Sequence, residues 1–326
     1  MKRTILGVGF IGFQLMKDIV IKMTDNDELF LVDNDRINLQ RAINTLEKRG
    51  YIQGIIHVLE GDVRDNSFRE VAQFHKDKKQ NGGDYPWFSL LKDSIVYNLS
   101  ARVGVKSWTE NPYQNYFHNL QVDNNVSEMV RRYHCKKYVY ASSSEVLGDG
   151  EHLKEGDNFQ ISSTPRGLYA LEKVHGETLA KVLGVPHTIV RFFNIIGPYQ
   201  DITKGVFPKF IYQLQRNEEV KASTDVRCFC DVRDASQALI ILGESELSNT
   251  VNICNTENSF TMVELANILK EELKSTSKIT LLEDNFIQKR VGDNTLLSEF
   301  YKVKYNIYKT IEYYLESQGI ENGRNS

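Results

Sequence analysis

Short apolar runs alternate along this chain with longer stretches in which apolar residues recur every three or four positions. "TILGVGF" is followed by a helical pattern from Ile11 to Met23, then by "ELFLVD" and a second helical pattern around Asn38 to Lys48. "IIHVLEGD", "SIVYNLSA", "KYVYASSS" and "HTIVRFFN" continue the series, with helical segments between most of them. Apolar runs of this length read as strands covered on both faces, and their alternation with helices predicts βαβ units. The expected fold is α/β, a doubly wound parallel sheet. After Asn194 the alternation weakens, and "GVFPKFIYQLQRNEEV" and "TMVELANILKEELK" predict helices of a second, smaller lobe. On this reading residues 1–190, with about 228–253, form the sheet domain, and 191–227 with 254–326 form the carboxyl-terminal lobe. "HKDKKQNGGDYP" breaks the rhythm and reads as a surface excursion.

Composition narrows the class without naming it. A chain of 326 residues with 41% hydrophobic and 25% charged residues is an ordinary globular protein. A net charge of -3 supplies no basic field for nucleic acid, so no nucleic-acid partner is expected. No apolar run approaches the roughly 18 to 20 residues of a membrane span, so no membrane partner is expected either. "MKRT" leads straight into the first strand without a cleavable signal pattern, which points to the cytoplasm. Cys135, Cys228, Cys230 and Cys254 form no CxxC pair and read as reduced, buried thiols, with no metal site.

Chemistry enters at the first turn. "LGVGFIG" sets Gly7, Gly9 and Gly12 in GxGxxG spacing, with Phe10 and Ile11 between them, where a strand gives way to a helix. That spacing suits a tight turn, close backbone approach to a pyrophosphate, and phosphate at a helix amino terminus. Asp33 closes "ELFLVD" about 20 residues further on, where a carboxylate accepts from ribose hydroxyls and repels a 2′-phosphate. The sheet is therefore Rossmann-type and the expected cofactor is NAD. Asp62 in "EGDVRD" is a contact for the adenine amino group. Val63 beside it, with Leu99 and Ala101 at the end of "SIVYNLSA", completes the cofactor-facing set.

"YALEK" puts Tyr169 and Lys173 four apart, on one face of a helix that "TPRG" starts. A phenol with an ordinary pKa of about 10 is a poor base at neutral pH. A neighbouring ammonium favours the phenolate, so the pair forms a general base for a sugar hydroxyl. Upstream, "YASSSEVLG" leaves hydroxyls and Glu145 at the carboxyl edge of a strand, where open α/β sheets hold ligands.

Taken in order, "GVGFIG", "VDND", "GDVRD", "NLSARVGVKSWTENP", "YASSSEVLG", "YALEKVHGE", "RFFNIIGPYQ", "RCFCDVRDASQAL" and "NICNTENSFTMVELA" resemble the extended short-chain dehydrogenase/reductases. More narrowly they are similar to the NAD-dependent nucleotide-sugar epimerase/dehydratase group, and the blocks span nearly the whole chain. The resemblance implies a nucleotide-diphosphate sugar substrate, a substrate-binding carboxyl-terminal lobe and a homodimer formed through the helices of "ENPYQNYFHNLQVDNNVSEMVRR" and "YALEKVHGETLAKVL". It assigns Ser143 to the substrate's 4-hydroxyl, Tyr169 to the base, and Lys173 to its activation and the nicotinamide ribose. It assigns Asn194 to the diphosphate region, Arg227 and Arg290 to the diphosphate, Asp293 in "KRVGD" to a ribose, and Val206 and Phe207 to the flanks of the base. Three positions depart from the pattern: Leu6 where a further glycine is usual, Leu147 where a tyrosine is common, and Glu172 where a serine usually precedes the lysine.

The implied first step is oxidation at C4 of the sugar. Glu145, two residues after Ser143, occupies the place of the glutamate of the dehydratase and decarboxylase branches, while Ser144 stands where the best-known dehydratases keep an acid. The expected reaction is therefore of 4,6-dehydratase or decarboxylase type. The alternative is a nucleotide-sugar 4-epimerase, which "NLSARVGVKSWTENP" and "RVGD" resemble. A protein of another class, a non-catalytic NAD(P)-binding sensor, would normally lose the tyrosine or the lysine, and this chain keeps both.

Overall fold

The computed structural model describes residues 1–75, 78–80, 83–282 and 287–319. Seven strands run parallel: Lys2–Leu6 (β1), Glu28–Asp33 (β2), Ile55–Glu60 (β3), Ser94–Asn98 (β4), Lys137–Ser143 (β5), His187–Phe192 (β6) and Thr250–Ile253 (β7). They lie in the order β3-β2-β1-β4-β5-β6-β7, so the order reverses between β1 and β4. This is the doubly wound, Rossmann-type sheet, with its ligand crevice at that reversal. Why the strands read as unbroken apolar runs is plain in β2. Leu29 and Leu31 enter the core on one face, and Phe30 and Val32 enter the core on the other.

Five helices concern the site: Phe10–Lys22 (α1), Arg36–Arg49 (α2), Pro112–Arg132 (α3), Pro165–Val182 (α4) and Val232–Glu244 (α5). Helix α1 packs against α5, and α3 against α4. Val122, Val126 and Val130 of α3 recur every four residues and fill one face's core.

The rhythm breaks after β3. Ser67–His75 pairs antiparallel with β3, and Lys78–Gln80 and Asp84–Pro86 pair antiparallel with it in turn. The polar excursion expected there is thus a sheet edge, although residues 76–77 and 81–82 lie outside the described residues. "SFREVAQFH" buries every second residue, Phe68, Glu70, Ala72 and Phe74, as a strand covered on one face must.

A second, five-stranded sheet runs in the order Asn194–Ile196, Val226–Asp231, Lys289–Gly292, Gly150–Leu153, with Ser259–Thr261 alongside Val226–Asp231. Helices Val206–Gln215 and Met262–Glu272, both expected, share a third core with Ile307–Ser317 through Phe207, Phe210, Leu265 and Ile311. A capping box between Thr261 and Glu264 starts the second of these. Among the described residues no helix is long and apolar enough to cross a membrane, and the four cysteines are buried and unbridged.

Candidate active site

A cavity of about 1270 Å³ opens at the carboxyl ends of β1, β2, β4 and β5. Gly7, Gly9, Phe10, Ile11, Gly12, Asp33, Asp62, Val63, Leu99 and Ala101 all line it. Gly7 sits at φ +90, and a Cβ there would stand 2.9 Å from the backbone of Leu99, so the turn admits only glycine. Helix α1 follows the cap residue Gly9, and Gly9, Phe10, Ile11 and Gly12 line the cavity at the end of the helix whose first amides lack intrahelical acceptors. Asp33 ties the turn down: Oδ2 accepts from Val8 N at 2.7 Å and Oδ1 from Asp35 N at 2.8 Å. Burial nevertheless pushes its carboxyl above the ordinary range. Asp62 is held well below it by hydrogen bonds from Arg64.

Across the cavity, Ser143 ends β5 and caps a one-turn helix, its Oγ accepting from Glu145 N at 3.2 Å. Helix α4 starts as expected, with Thr164 accepting from Gly167 N at 3.1 Å and Pro165 in its first turn. Tyr169 and Lys173 follow on one face, the ammonium 5.8 Å from the phenol ring, and both line the cavity with Ser143. Ser143 also hydrogen-bonds the Tyr169 phenol and favours its ionised form. The net position of that phenol departs from expectation. Burial drives it up to about 12, and Lys173, although it pulls downward, does not offset this. The ammonium's pull is weakened by Glu172, 3.4 Å away, and the ammonium is itself held above its ordinary range by Glu172, Tyr169 and Asp123 despite burial.

Ser142 is structural, buried and donating to Glu177 Oε1 at 2.6 Å. Gly176 of α4 lets Tyr140 of β5 reach the helix, since a Cβ there would lie 2.0 Å from the Tyr140 hydroxyl. Asn194, Val206 and Phe207 line the far end of the cavity. Asn194 Nδ2 donates to Cys228 O at 3.1 Å.

The remaining expected residues stand outside that lining. Ser144 is buried, and Asp293 accepts from Thr295 N at 2.8 Å as a local cap. Arg227 and Arg290 are register neighbours on adjacent strands. Arg227 donates to Gln288 and to the Val226 carbonyl, and Arg290 Nε donates to Gly148 O at 2.7 Å. Glu145 Oε1 is shared between Arg290 Nη1 at 2.5 Å and Arg166 Nη2 at 2.6 Å. Arg166 was legible only as part of a helix start; its role depends on a strand more than a hundred residues away. Arg41, also unforeseen, lines the cavity between the rings of Phe13 and Tyr199, 5.6 and 5.3 Å from their centroids.

A Rossmann sheet with a glycine turn, an acidic residue ending β2 and a Ser143–Tyr169–Lys173 constellation defines a short-chain dehydrogenase/reductase of the extended type. Residues 86–254 match the model of the NAD dependent epimerase/dehydratase family, and the chain belongs to that family. It is 29% identical over 254 residues to a UDP-N-acetyl-alpha-D-glucosaminuronate decarboxylase of Bacillus cytotoxicus, covering 72% of this chain and 76% of that one. It is 26% identical over 294 residues to UDP-glucuronic acid decarboxylase 6 of Arabidopsis thaliana, covering 85% and 76%. Among solved structures, it superposes on the Thermus thermophilus UDP-glucose 4-epimerase complex with NAD with a TM-score of 0.76 at 19% identity, covering 97% and 98% of the two chains. It matches MoeE5 in complex with UDP-glucuronic acid and NAD with a TM-score of 0.77 at 19% identity, covering 98% and 99%. The protein is thus an NAD-dependent enzyme of nucleotide-sugar modification, and the cleft fits NAD: the bare Gly9 faces open space and leaves room for a pyrophosphate, and a carboxylate at Asp33 suits ribose hydroxyls better than a 2′-phosphate.

Proposed function

We propose that the enzyme decarboxylates a nucleotide-diphosphate hexuronate through transient oxidation at C4. The observation that carries this reading is the pair of guanidiniums, Arg166 and Arg290, gathered on a single carboxylate oxygen two residues from Ser143. Two cations at that place form an anion subsite in which the C6 carboxylate of a uronate can exchange with Glu145. The 4,6-dehydratase arm calls for a carboxylate turned toward C5, whereas Glu145 is turned toward the two arginines. The decarboxylase names among the relatives support the same choice.

NAD, which the turn at Gly7, Gly9 and Gly12 and the carboxylate of Asp33 would hold, would supply the hydride acceptor for oxidation at C4 and the hydride for the closing reduction. Tyr169 accepts the proton of the C4 hydroxyl on its phenolic oxygen, and Ser143 hydrogen-bonds that hydroxyl. Lys173 keeps a positive charge behind the phenol. The new ketone is β to the C6 carboxylate, so the C5–C6 bond breaks with its electrons passing to C5, and carbon dioxide leaves. A solvent proton then adds at C5. Asn194 meets the diphosphate, and Val206 and Phe207 flank the base.

One observation favours 4-epimerisation instead. With Glu145 held in ion pairs, Ser143, Tyr169 and Lys173 suffice for a reaction that needs no further acid or base. Mass spectrometry of products from UDP-, GDP- and dTDP-sugars in deuterated water tests the reading. A hexuronate should lose carbon dioxide and gain deuterium at C5. Unchanged mass with an inverted C4 would select the epimerase, and loss of water the dehydratase.

A further inference from the structure

Beneath Tyr169 and Lys173 lies a second titratable cluster that the reaction above does not use. Glu172 is fully buried; its Oε1 has no hydrogen-bond partner beyond the 3.4 Å approach to the Lys173 ammonium. Its Oε2 accepts from Asn119 Nδ2 at 3.3 Å. Asp123, one turn along α3 from Asn119, is 1% exposed and accepts from the Tyr140 hydroxyl at 2.8 Å. The Lys173 ammonium also stands 5.2 Å from the centroid of the Tyr140 ring, whose hydroxyl is bonded to Asp123, so both buried carboxyl groups gather about one ammonium.

The groups that face this cluster come from every packed element. Helix α4 brings Lys173 and Tyr169, β5 brings Tyr138 and Tyr140, and the turn after β5 brings Glu145 within reach of the Tyr169 phenol. Of these groups only Lys173 is a cation. Two carboxylates beside one ammonium, away from water, leave a charge unbalanced, and a buried acid in that position stays neutral.

We propose that Glu172 and Asp123 form an acid pair that shares one proton and supplies the single negative charge opposite Lys173, and so sets the pH at which Tyr169 accepts the substrate's proton. Burial holds Asp123 well above the ordinary carboxylate range, in keeping with its being the protonated partner. Both are positioning residues: they act through Lys173 and touch no substrate. The proposal rests on Tyr169 as the base.

Infrared difference spectroscopy and pH–rate profiles of the NAD-loaded enzyme test it, on the native protein, Glu172→Gln, Asp123→Asn, the double variant and Tyr169→Phe. The native protein should show a deuterium-sensitive band of a protonated carboxyl at pH 8. That band should vanish in either single variant, because the remaining acid ionises against Lys173, and persist in Tyr169→Phe. The acid limb of the rate profile should hardly move in the single variants and should fall by about one pH unit or more in the double, where the charge opposing phenolate formation is gone. No such band in the native protein, or a band that survives both single substitutions, would overturn the proposal even if the double variant fails to fold. An acid limb in a folded double variant that coincides with the native one would overturn it too. Near-native turnover in Tyr169→Phe would instead sink the base assignment and leave the infrared result standing.

Discussion

Replacing Glu177 by glutamine takes away the carboxylate that balances Arg191. Both side chains are essentially without solvent contact, at 0% and 2% exposure. Arg191 Nε and Nη2 each donate to the carboxylate at 2.8 Å, and Ser142 adds a third bond at 2.6 Å. A buried guanidinium left without its partner costs about 3 to 5 kcal/mol. With an unfolding entropy of about 2.1 cal/mol/K per residue, a chain of 326 residues loses roughly 0.7 kcal/mol per degree near its midpoint. Glu177→Gln should therefore melt about 4 to 7 °C below the native protein in scanning calorimetry. Ser142→Ala forfeits one bond to a charged group, about 1.5 to 3 kcal/mol, and should lose about 2 to 4 °C. The double substitution Glu177→Met with Arg191→Leu removes the charge and its partner together, so its loss should fall well short of the sum of the single effects. Turnover should drop in Glu177→Gln as well, because the same carboxylate fixes α4, with Tyr169 and Lys173, against the strand that ends in Ser143. A melting temperature within a degree of the native value, or strict additivity in the double variant, would refute this account of what holds the site.

Other expectations bear on the chemistry. Tyr169→Phe should retain NAD in equilibrium dialysis while abolishing turnover; and because the phenol lies near 12, native turnover should rise with pH between about 7 and 9, a flat profile being contrary to the assignment. Arg166→Met should raise KM for a hexuronate nucleotide about tenfold or more while leaving a neutral hexose nucleotide within about twofold, as expected of a charge-assisted hydrogen bond; equal losses on both would sink the carboxylate subsite. Asp33→Ser should narrow the preference for NAD over NADP in a direct binding titration, and an unchanged ratio would show that the carboxylate serves only the backbone turn it holds.

What could be read before folding follows the range over which each cause acts. The seven parallel strands were legible because each carries its own burial on both faces, as Leu29 to Val32 do. The antiparallel strand Ser67–His75 carries the other signature, alternation, but its buried polar member, Glu70, finds its partner in His57 of β3, 2.6 Å away. Tyr169 and Lys173 were visible as a pair on one helix. The direction in which the phenol moves was not, because burial is a property of the whole cleft and Glu172 was seen only as a departure from pattern. Arg166, Arg290 and Glu145 stand 21 and 145 residues apart in sequence from nearest to farthest, and no local pattern announces their meeting.

Gly176 costs α4 some intrinsic stability, since a glycine in a helix interior gives up about 0.5 to 1 kcal/mol relative to alanine. In exchange the helix is keyed. The Tyr140 hydroxyl occupies the notch that a methyl group would fill, and Asp123 Oδ2 stands 2.6 Å from the same point, so α4 can neither slide nor roll without expelling a buried tyrosine. The height of the Tyr169 phenol above the sheet is therefore fixed by the scaffold, independent of whatever fills the far end of the cleft. Val206 and Phe207 belong to a helix with its own separate core. On the reading proposed above, substitutions there should alter which nucleotide or sugar is admitted while Ser143, Tyr169 and Lys173 stay in register. The notch thus separates what sets the height of the phenol from what shapes the far end of the cleft.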